Sequence, residues 1–364
     1  MSSALGSSSP LAPVGGPIAW LGSRIDYRAE GMHRLSPADI AEIDVALHHL
    51  KGLGDLDFPS ITPTTFPLPT LGTFLGRLGH DLRHGRGFLL LRGLPRERYT
   101  TDDMARIYAG LGCHLGRAVP QSWQGELLGH VIDVSDIEAD ARGYHAGGAQ
   151  RFHTDTCDIV SLMCVQGAKS GGISRIASAA AVHDRILETR PDLLATLYGD
   201  YVVRRMEQDA THGSGIVVRR VAIFSRATGQ LSCNISGSYP NRAVEFGDTV
   251  MTELQREALD EVERIAASPE FHLDMSIGEG DIQFLNNRAM LHGRTDFENW
   301  PEIARRRHLM RLWLYVPDWP DMPANQGMHD PRDHAGWLRQ RTPFMEVPSH
   351  YLAAMTQRKA AMTA

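Results

Sequence analysis

A chain of 364 residues has room for one large domain or two ordinary ones, with an extensive core in either case. Hydrophobic residues make up 42% and charged residues 22%, ordinary for a soluble globular protein, and a formal net charge of −6 offers no basic footprint for nucleic acid or an anionic membrane surface. No apolar run approaches the roughly 18 residues of a membrane span, and the Ser/Gly/Pro/Ala-rich start, Met1 to Gly16, has neither the basic opening nor the apolar centre of a signal peptide. Residues 1–16 therefore read as a disordered lead-in, 17–345 as a single domain, 346–364 as a C-terminal tail, and the protein as cytoplasmic.

The first third alternates helical and extended signals. Ser36 followed by Pro37 and an amphipathic run from Ala38 to Leu47 predicts a capped helix with proline at its first position. Leu71 to Leu82 repeats the helical period, Gly87 to Gly93 is a short apolar strand, and Thr101 opens another helix through Met104, Ile107, Tyr108 and Leu111. From about Leu127 the texture changes to short extended runs broken by Gly, Asn and Asp. These are Leu127–Asp133, Ile159–Gln166, Tyr201–Arg205, Gly215–Ile223 and Ile282–Leu285, with helices near Ala181–Thr189 and Thr252–Ala267. Many short strands with helices inserted favour an antiparallel sandwich or jelly roll over a βαβ array, giving a mainly β fold with helical additions. The four cysteines, Cys113, Cys157, Cys164 and Cys233, lack zinc-ligand spacing and read as reduced, mostly core residues. Cys157 follows Asp155 on the same strand face and is expected near any metal that Asp155 holds.

Chemistry concentrates around His153-Thr154-Asp155. On an extended segment, residues two apart point the same way, so this His and Asp can offer one nitrogen and one oxygen to the same metal. About two such His-x-acid pairs are expected by chance in a chain with 17 histidines, and His272-Leu273-Asp274 is a second. His272 lies in a strand-like run only 20 residues before His292 and reads as structural. His153 instead follows a Gly-rich segment, Gly143 to Gln150, of the kind that borders a site. Far downstream, a turn at Gly280-Asp281 starts a short apolar strand that leads through Asn287 and Arg288 to His292. A second His there would complete a two-His-one-carboxylate triad, which leaves coordination positions open and suits non-haem iron. In the run Arg305 to Tyr315, period two puts Arg307, Leu309, Arg311 and Trp313 on one strand face. Two arginines four apart on such a face can line an anion site, the planar guanidinium being a natural partner for a carboxylate.

The order His153-x-Asp155, Gly171-Gly172-Ile173-Ser174, Asn287-Arg288 with His292, and Arg307 with Arg311 resembles the taurine dioxygenase/clavaminate synthase-like (TauD/TfdA) family of Fe(II)/2-oxoglutarate oxygenases. The resemblance spans roughly Gly87 to Tyr315. It implies a double-stranded β-helix (jelly-roll) core, Fe(II) as metal, and 2-oxoglutarate and O₂ as cosubstrates. Carried over by position, His153, Asp155 and His292 would bind iron. Arg307 would pair with the distal carboxylate of 2-oxoglutarate, helped by the Ser174 hydroxyl, and Arg311 would lie near the cosubstrate's other end or a substrate anion. Relatives that halogenate lack the carboxylate, so Asp155 argues for hydroxylation or a related oxidation.

Trp123, Tyr144, His145, Gln150 and Tyr239 are further candidates for lining the substrate, while His114, His130, His183, His308 and His329 read as ordinary structural or exposed histidines. Two other readings of the residues stay open at this point. One is a jelly-roll binding protein without turnover. The other is a zinc hydrolase using His/Asp/His, which would leave the Arg307/Arg311 face without a role and lacks a His-Glu-x-x-His motif. The expected partner is a small organic molecule, with no nucleic acid and no membrane, and association into a homo-oligomer is left open.

Overall fold

The computed structural model describes residues 11–122, 124–138, 145–204, 218–236, 238–326 and 331–363. Among them two facing sheets carry the site. The larger has seven strands in the order Met32–Arg34, Phe88–Arg92, Ile282–Asn286, Ile159–Gln166, His308–Tyr315, with Leu128–Ile132 and Arg117–Ala118 both paired along the last. Every pairing is antiparallel except the first. The smaller sheet runs His272–Met275, Ser174–Ser178, Met290–Arg294, Gln150–His153, all antiparallel. The two form the jelly-roll core, and the fold is mainly β with helical additions.

Alternation along the strands sorts the side chains into layers. Met310, Leu312 and Leu314 join Met163, Ile282 and Phe284 on the outer face of the large sheet. They pack there against Ile43 and Leu47, Leu75 and Leu78, and Met104 and Tyr108. Those residues come from the helices Pro37–Gly52, Leu71–His84 and Thr101–Cys113. Their neighbours Val160, Leu285 and Trp313 point the other way, meeting Ile176, Met275 and Met290 of the small sheet. A third cluster, with Phe152, Ala177 and Leu291, covers the back of the small sheet with the helices Ala179–Thr189, Pro191–Leu197 and Glu253–Ala266.

Local signals hold well where capping chemistry is strong. Ser36 and Asp39 form a capping box on the first long helix, and Thr252 with Gln255 does the same at Glu253–Ala266. Of the N-terminal lead-in, residues 1–10 lie outside the described residues, and the amides of Val14 and Gly15 bond the Asp184 carboxylate at 2.7 and 2.9 Å. The C-terminal stretch read as a tail forms the helix Pro348–Thr363, whose Tyr351 and Met355 are buried against Ile132, Val134 and Ile303. Glu346 is fully buried and accepts from the Leu127 amide at 2.6 Å, so this end is stitched to the strand Leu128–Ile132. No helix among the described residues is long and apolar enough to cross a membrane.

Candidate active site

The strand Gln150–His153 pairs with Met290–Arg294 so that His153 sits directly opposite His292, with ring centroids 4.2 Å apart. Asp155 follows the first strand's end and lies 3.9 Å from His153 Nε2 and 3.6 Å from His292 Nε2. One ligand atom from each residue falls within 4.8 Å of the other two, and this trio is the one such group found among the described residues. His272 stays outside it, paired across the sheet with Ala177 and 3.6 Å from Asp274.

Each residue of His153-Thr154-Asp155 is fixed by a different neighbour. His153 Nδ1 donates to the Arg151 carbonyl at 2.9 Å, which leaves the lone pair on Nε2 facing the carboxylate. The Thr154 hydroxyl accepts from the Ile235 amide at 2.9 Å while the Thr154 amide donates to the Ile235 carbonyl. Asn287 holds the Asp155 backbone from both sides, accepting from its amide at 2.8 Å and donating to the carbonyls of Asp155 and Cys157 at 2.7 and 2.9 Å. Next to it, Arg288 donates to the buried Asp158 carboxylate and to the Pro320 carbonyl. The Asn-Arg pair is thus a latch that binds the turn before His292 to the loop bearing Asp155.

The electrostatics suit a cation here. Burial opposes ionisation of Asp155, but the nearby Arg311 guanidinium leads the interactions that outweigh it and hold the carboxyl well below the usual range. Trp313 Nε1 donates to its Oδ2 at 2.9 Å, and Arg311 Nη1 lies 3.6 Å from the same oxygen. Burial, then the neighbouring His292, push the His153 imidazole down to about 4, so it is neutral and ligand-competent at pH 7. His292 Nδ1 is buried without a hydrogen-bond partner among the described residues. Two imidazoles and one carboxylate on one side of a shared position are the donor set expected for Fe(II) with open coordination sites.

Arg307 immediately precedes the strand His308–Tyr315 that carries Arg311. It is buried, its Nη1 has no hydrogen-bond partner among the described residues, and its Nη2 reaches only the Gly172 carbonyl, at 3.4 Å. Burial, and then nearby Arg294, lower its pKa to about 10. Gly171 and Gly172 both have positive φ, and a Cβ on Gly172 would come within 2.8 Å of Arg307 Nε. The glycine pair is therefore needed for the turn and for the guanidinium's seat. A buried cation with an unused donor fits a carboxylate ligand.

The Ser174 hydroxyl lies 3.2 Å from Gln283 Oε1 and donates to it. The reason is the sandwich itself, since Ser174 faces inward from the small sheet and Gln283 from the large one. Arg311 is oriented by Gln121, whose Oε1 accepts from Arg311 Nε at 2.7 Å and whose Nε2 donates to the Arg311 carbonyl at 2.8 Å.

The structure adds Gln121, Gln283 and Arg294 to the residues read from sequence, lone glutamines carrying no pattern, and gives Trp313, already legible on the Arg311 strand face, its bond to Asp155. Of the remaining candidates, Gln150 Nε2 lies 3.3 Å from His153 Nε2. His145 Nδ1 bonds the Ile132 carbonyl at 3.1 Å, and Tyr239 packs from the helix Ser238–Glu245 onto the core behind the small sheet. Trp123, Tyr144 and His329 lie outside the described residues. Cys157 is buried in the inner layer, its thiol raised well above normal by burial and by Asp155, and all four cysteines are free.

Residues 54–313 match the family described as taurine catabolism dioxygenase TauD, TfdA family. The chain belongs to that family. It is accordingly a non-haem Fe(II), 2-oxoglutarate-dependent dioxygenase, with O₂ as the other cosubstrate. Among TauD/TfdA relatives, it is 33% identical to a taurine hydroxylase-like protein of Stachybotrys chartarum, over 81% of this chain and 78% of that one. It is 28% identical to the FR-33289 synthase of Streptomyces rubellomurinus, over 87% and 94% respectively. The fold matches asparagine oxygenase in complex with Fe(II), 3-hydroxyasparagine and succinate, at TM-score 0.62 and 17% identity over 78% of this chain and 93% of that one. It also matches the non-haem iron oxygenase OrfP in complex with Fe, succinate and 3-hydroxyarginine, at TM-score 0.59 and 13% identity over 78% and 94%.

Proposed function

We propose that His153, Asp155 and His292 hold Fe(II), that Arg307 anchors the distal carboxylate of 2-oxoglutarate, and that the enzyme hydroxylates a C–H bond of a small organic molecule carrying an anionic group. The observation that carries this reading is the trio of ligand atoms within 4.8 Å of one another, together with a buried arginine that has an unused donor just before the strand carrying Arg311. Iron bound there supplies the redox chemistry by which RH, O₂ and 2-oxoglutarate become ROH, succinate and CO₂. The chain's own part is binding, orientation and exclusion of water. His153 and His292 are kept on one side by direct cross-strand pairing, and Asp155 is kept ionised by Arg311 and aimed by Trp313. Arg311, oriented by Gln121, is the cation nearest the Asp155 carboxylate, placed for the cosubstrate's near end or for an anionic group on the substrate. The taurine hydroxylase-like relative, named for a sulfonate, and the two neighbours solved with hydroxylated amino acids support a small, anionic or zwitterionic substrate.

Anaerobic addition of Fe(II) and 2-oxoglutarate is expected to give a weak visible charge-transfer band, and air to give succinate. Both should vanish in Asp155→Ala. Absence of the band and of succinate in the wild-type protein would refute the assignment. A screen of small sulfonates, phosphonates and amino acids scored by succinate release would identify the substrate.

A further inference from the structure

Residues 150 and 153 are three apart, so on a regular strand their side chains would point to opposite faces. They do not. His153 pairs with His292 and Gln150 with Arg294, so one strand spends three residues where its partner spends two. That is a β-bulge, a device that re-aims side chains and is frequent beside active sites. Its effect is to turn the Gln150 carboxamide toward His153, with Nε2 to Nε2 at 3.3 Å. The direction of this bond follows from the tautomer. Because His153 Nδ1 donates to the Arg151 carbonyl, His153 Nε2 is an acceptor, and the Gln150 amide must donate to it. The nitrogen that Gln150 touches is the one offered to the metal.

Ligation consumes that lone pair, leaving an amide N–H at the edge of the coordination site without its acceptor. A half-buried donor beside a charged site favours a new oxygen acceptor, an anionic one most of all. Resting on the ligand assignment above, we propose that Gln150 is a positioning residue for the cosubstrate. Its carboxamide rests on His153 Nε2 while that nitrogen is unligated. Once the metal takes the lone pair, the amide donates to the carboxylate of the 2-oxo acid seated beside His153.

The test uses Co(II), whose absorption reports its ligands without turnover. In Gln150→Met, removing the competing bond should tighten Co(II) binding by about twofold to fivefold, and loss of the amide should weaken 2-oxoglutarate binding to the Co(II) protein by about fivefold to tenfold, the size of one hydrogen bond. Gln150→Asn keeps the amide but not the reach and should behave like Gln150→Met, which covers a methionine variant that fails to fold. In Gln150→Glu, a carboxylate at this place becomes an additional metal ligand. Co(II) affinity should rise at least tenfold, and 2-oxoglutarate should no longer change the spectrum. If Co(II) and 2-oxoglutarate affinities in Gln150→Asn and Gln150→Glu equal those of the wild type, the inference fails while the ligand assignment stands. If the wild-type protein binds no Co(II), or His153→Ala binds it equally well, the ligand assignment itself fails.

Discussion

Asn287 touches neither metal nor cosubstrate in the proposed scheme, yet its loss should be felt at both. The side chain makes three hydrogen bonds to the loop that carries Asp155, at 2.7–2.9 Å, and it is buried. A neutral hydrogen bond contributes about 1 kcal/mol net, and stranding its buried partners costs more than that. Asn287→Ala should therefore lower the free energy of unfolding by about 2–4 kcal/mol, measurable by urea denaturation of the metal-free protein. Part of the loss should appear as ligand misplacement. Groups that orient metal ligands are typically worth 10–100-fold in affinity, or about 1.4–2.8 kcal/mol.

Two variants separate the latch from simple packing. Asn287→Asp is nearly isosteric and keeps the acceptor for the Asp155 amide, but it loses both donors and sets a carboxylate against two carbonyls. It should weaken Co(II) binding at least as much as Asn287→Ala. If both variants bind Co(II) within twofold of wild type, and unfold within about 0.5 kcal/mol of it, the latch does not position Asp155 and the reasoning is wrong.

Three further outcomes follow from the same geometry. Arg307→Ala should remove the anchor of the distal carboxylate, costing about 2–4 kcal/mol in cosubstrate binding and so a thirtyfold to thousandfold rise in KM for 2-oxoglutarate with a smaller change in kcat; near-normal turnover at low 2-oxoglutarate would refute the assignment. Gly172→Ala should destabilise the fold by about 1–2 kcal/mol for a side chain at φ +69° and, by displacing Arg307, raise the same KM, whereas an unchanged KM would show that the guanidinium does not depend on this turn. The buried pair His130 and His308 should make stability acid-sensitive. His130 Nε2 donates to the Met345 carbonyl and its Nδ1 accepts from His308 Nε2 at 3.0 Å, an arrangement of neutral rings. Burial lowers His130 from 6.5 to about 4 and His308 well below 6.5, so the unfolded chain binds more protons than the fold across that interval. The stability is fully present above about 6.5 and is lost as pH falls, at about 1.4 kcal/mol per pH unit for each ring, until the folded pKa is reached. His130→Gln should flatten the dependence between pH 6.5 and 4, and an unaltered slope would refute it.

What was legible in the sequence follows physical range. Ser36 and Pro37 announce a helix because capping is settled within one turn, and the Arg311/Trp313 face is visible because strand alternation is local. The pair His153 and Asp155 was likewise readable, and His292 became so through order and spacing. Gln121, Gln283 and the engagement of Ser174 were not, because each depends on which residue the opposite sheet or a distant loop presents. The C-terminal helix was missed for a related reason. Its mean pattern is polar, and burial of Tyr351 and Met355 depends on Ile132, Val134 and Ile303 arriving from elsewhere. Gln150 shows the limit most sharply, since a bulge breaks the alternation from which a strand face is read.

The division of labour between the sheets explains why the site sits where it does. His153 and His292 belong to the small sheet, while Arg311 lies on the large-sheet strand His308–Tyr315 and Arg307 immediately precedes that strand. The position of the proposed metal site relative to the two arginines is therefore set by how the two sheets pack, and the residues fixing it are apolar, Val160 and Trp313 against Ile176 and Met290. Asp155 is the one ligand tied to both sides. Trp313 of the large sheet donates to its carboxylate, and its backbone is gripped by Asn287, in the turn through which the chain passes from the large-sheet strand Ile282–Asn286 to the small-sheet strand Met290–Arg294. A carboxylate held by both layers registers any shift between them, so the same interior packing that stabilises the sandwich also holds the triad and the arginine in register.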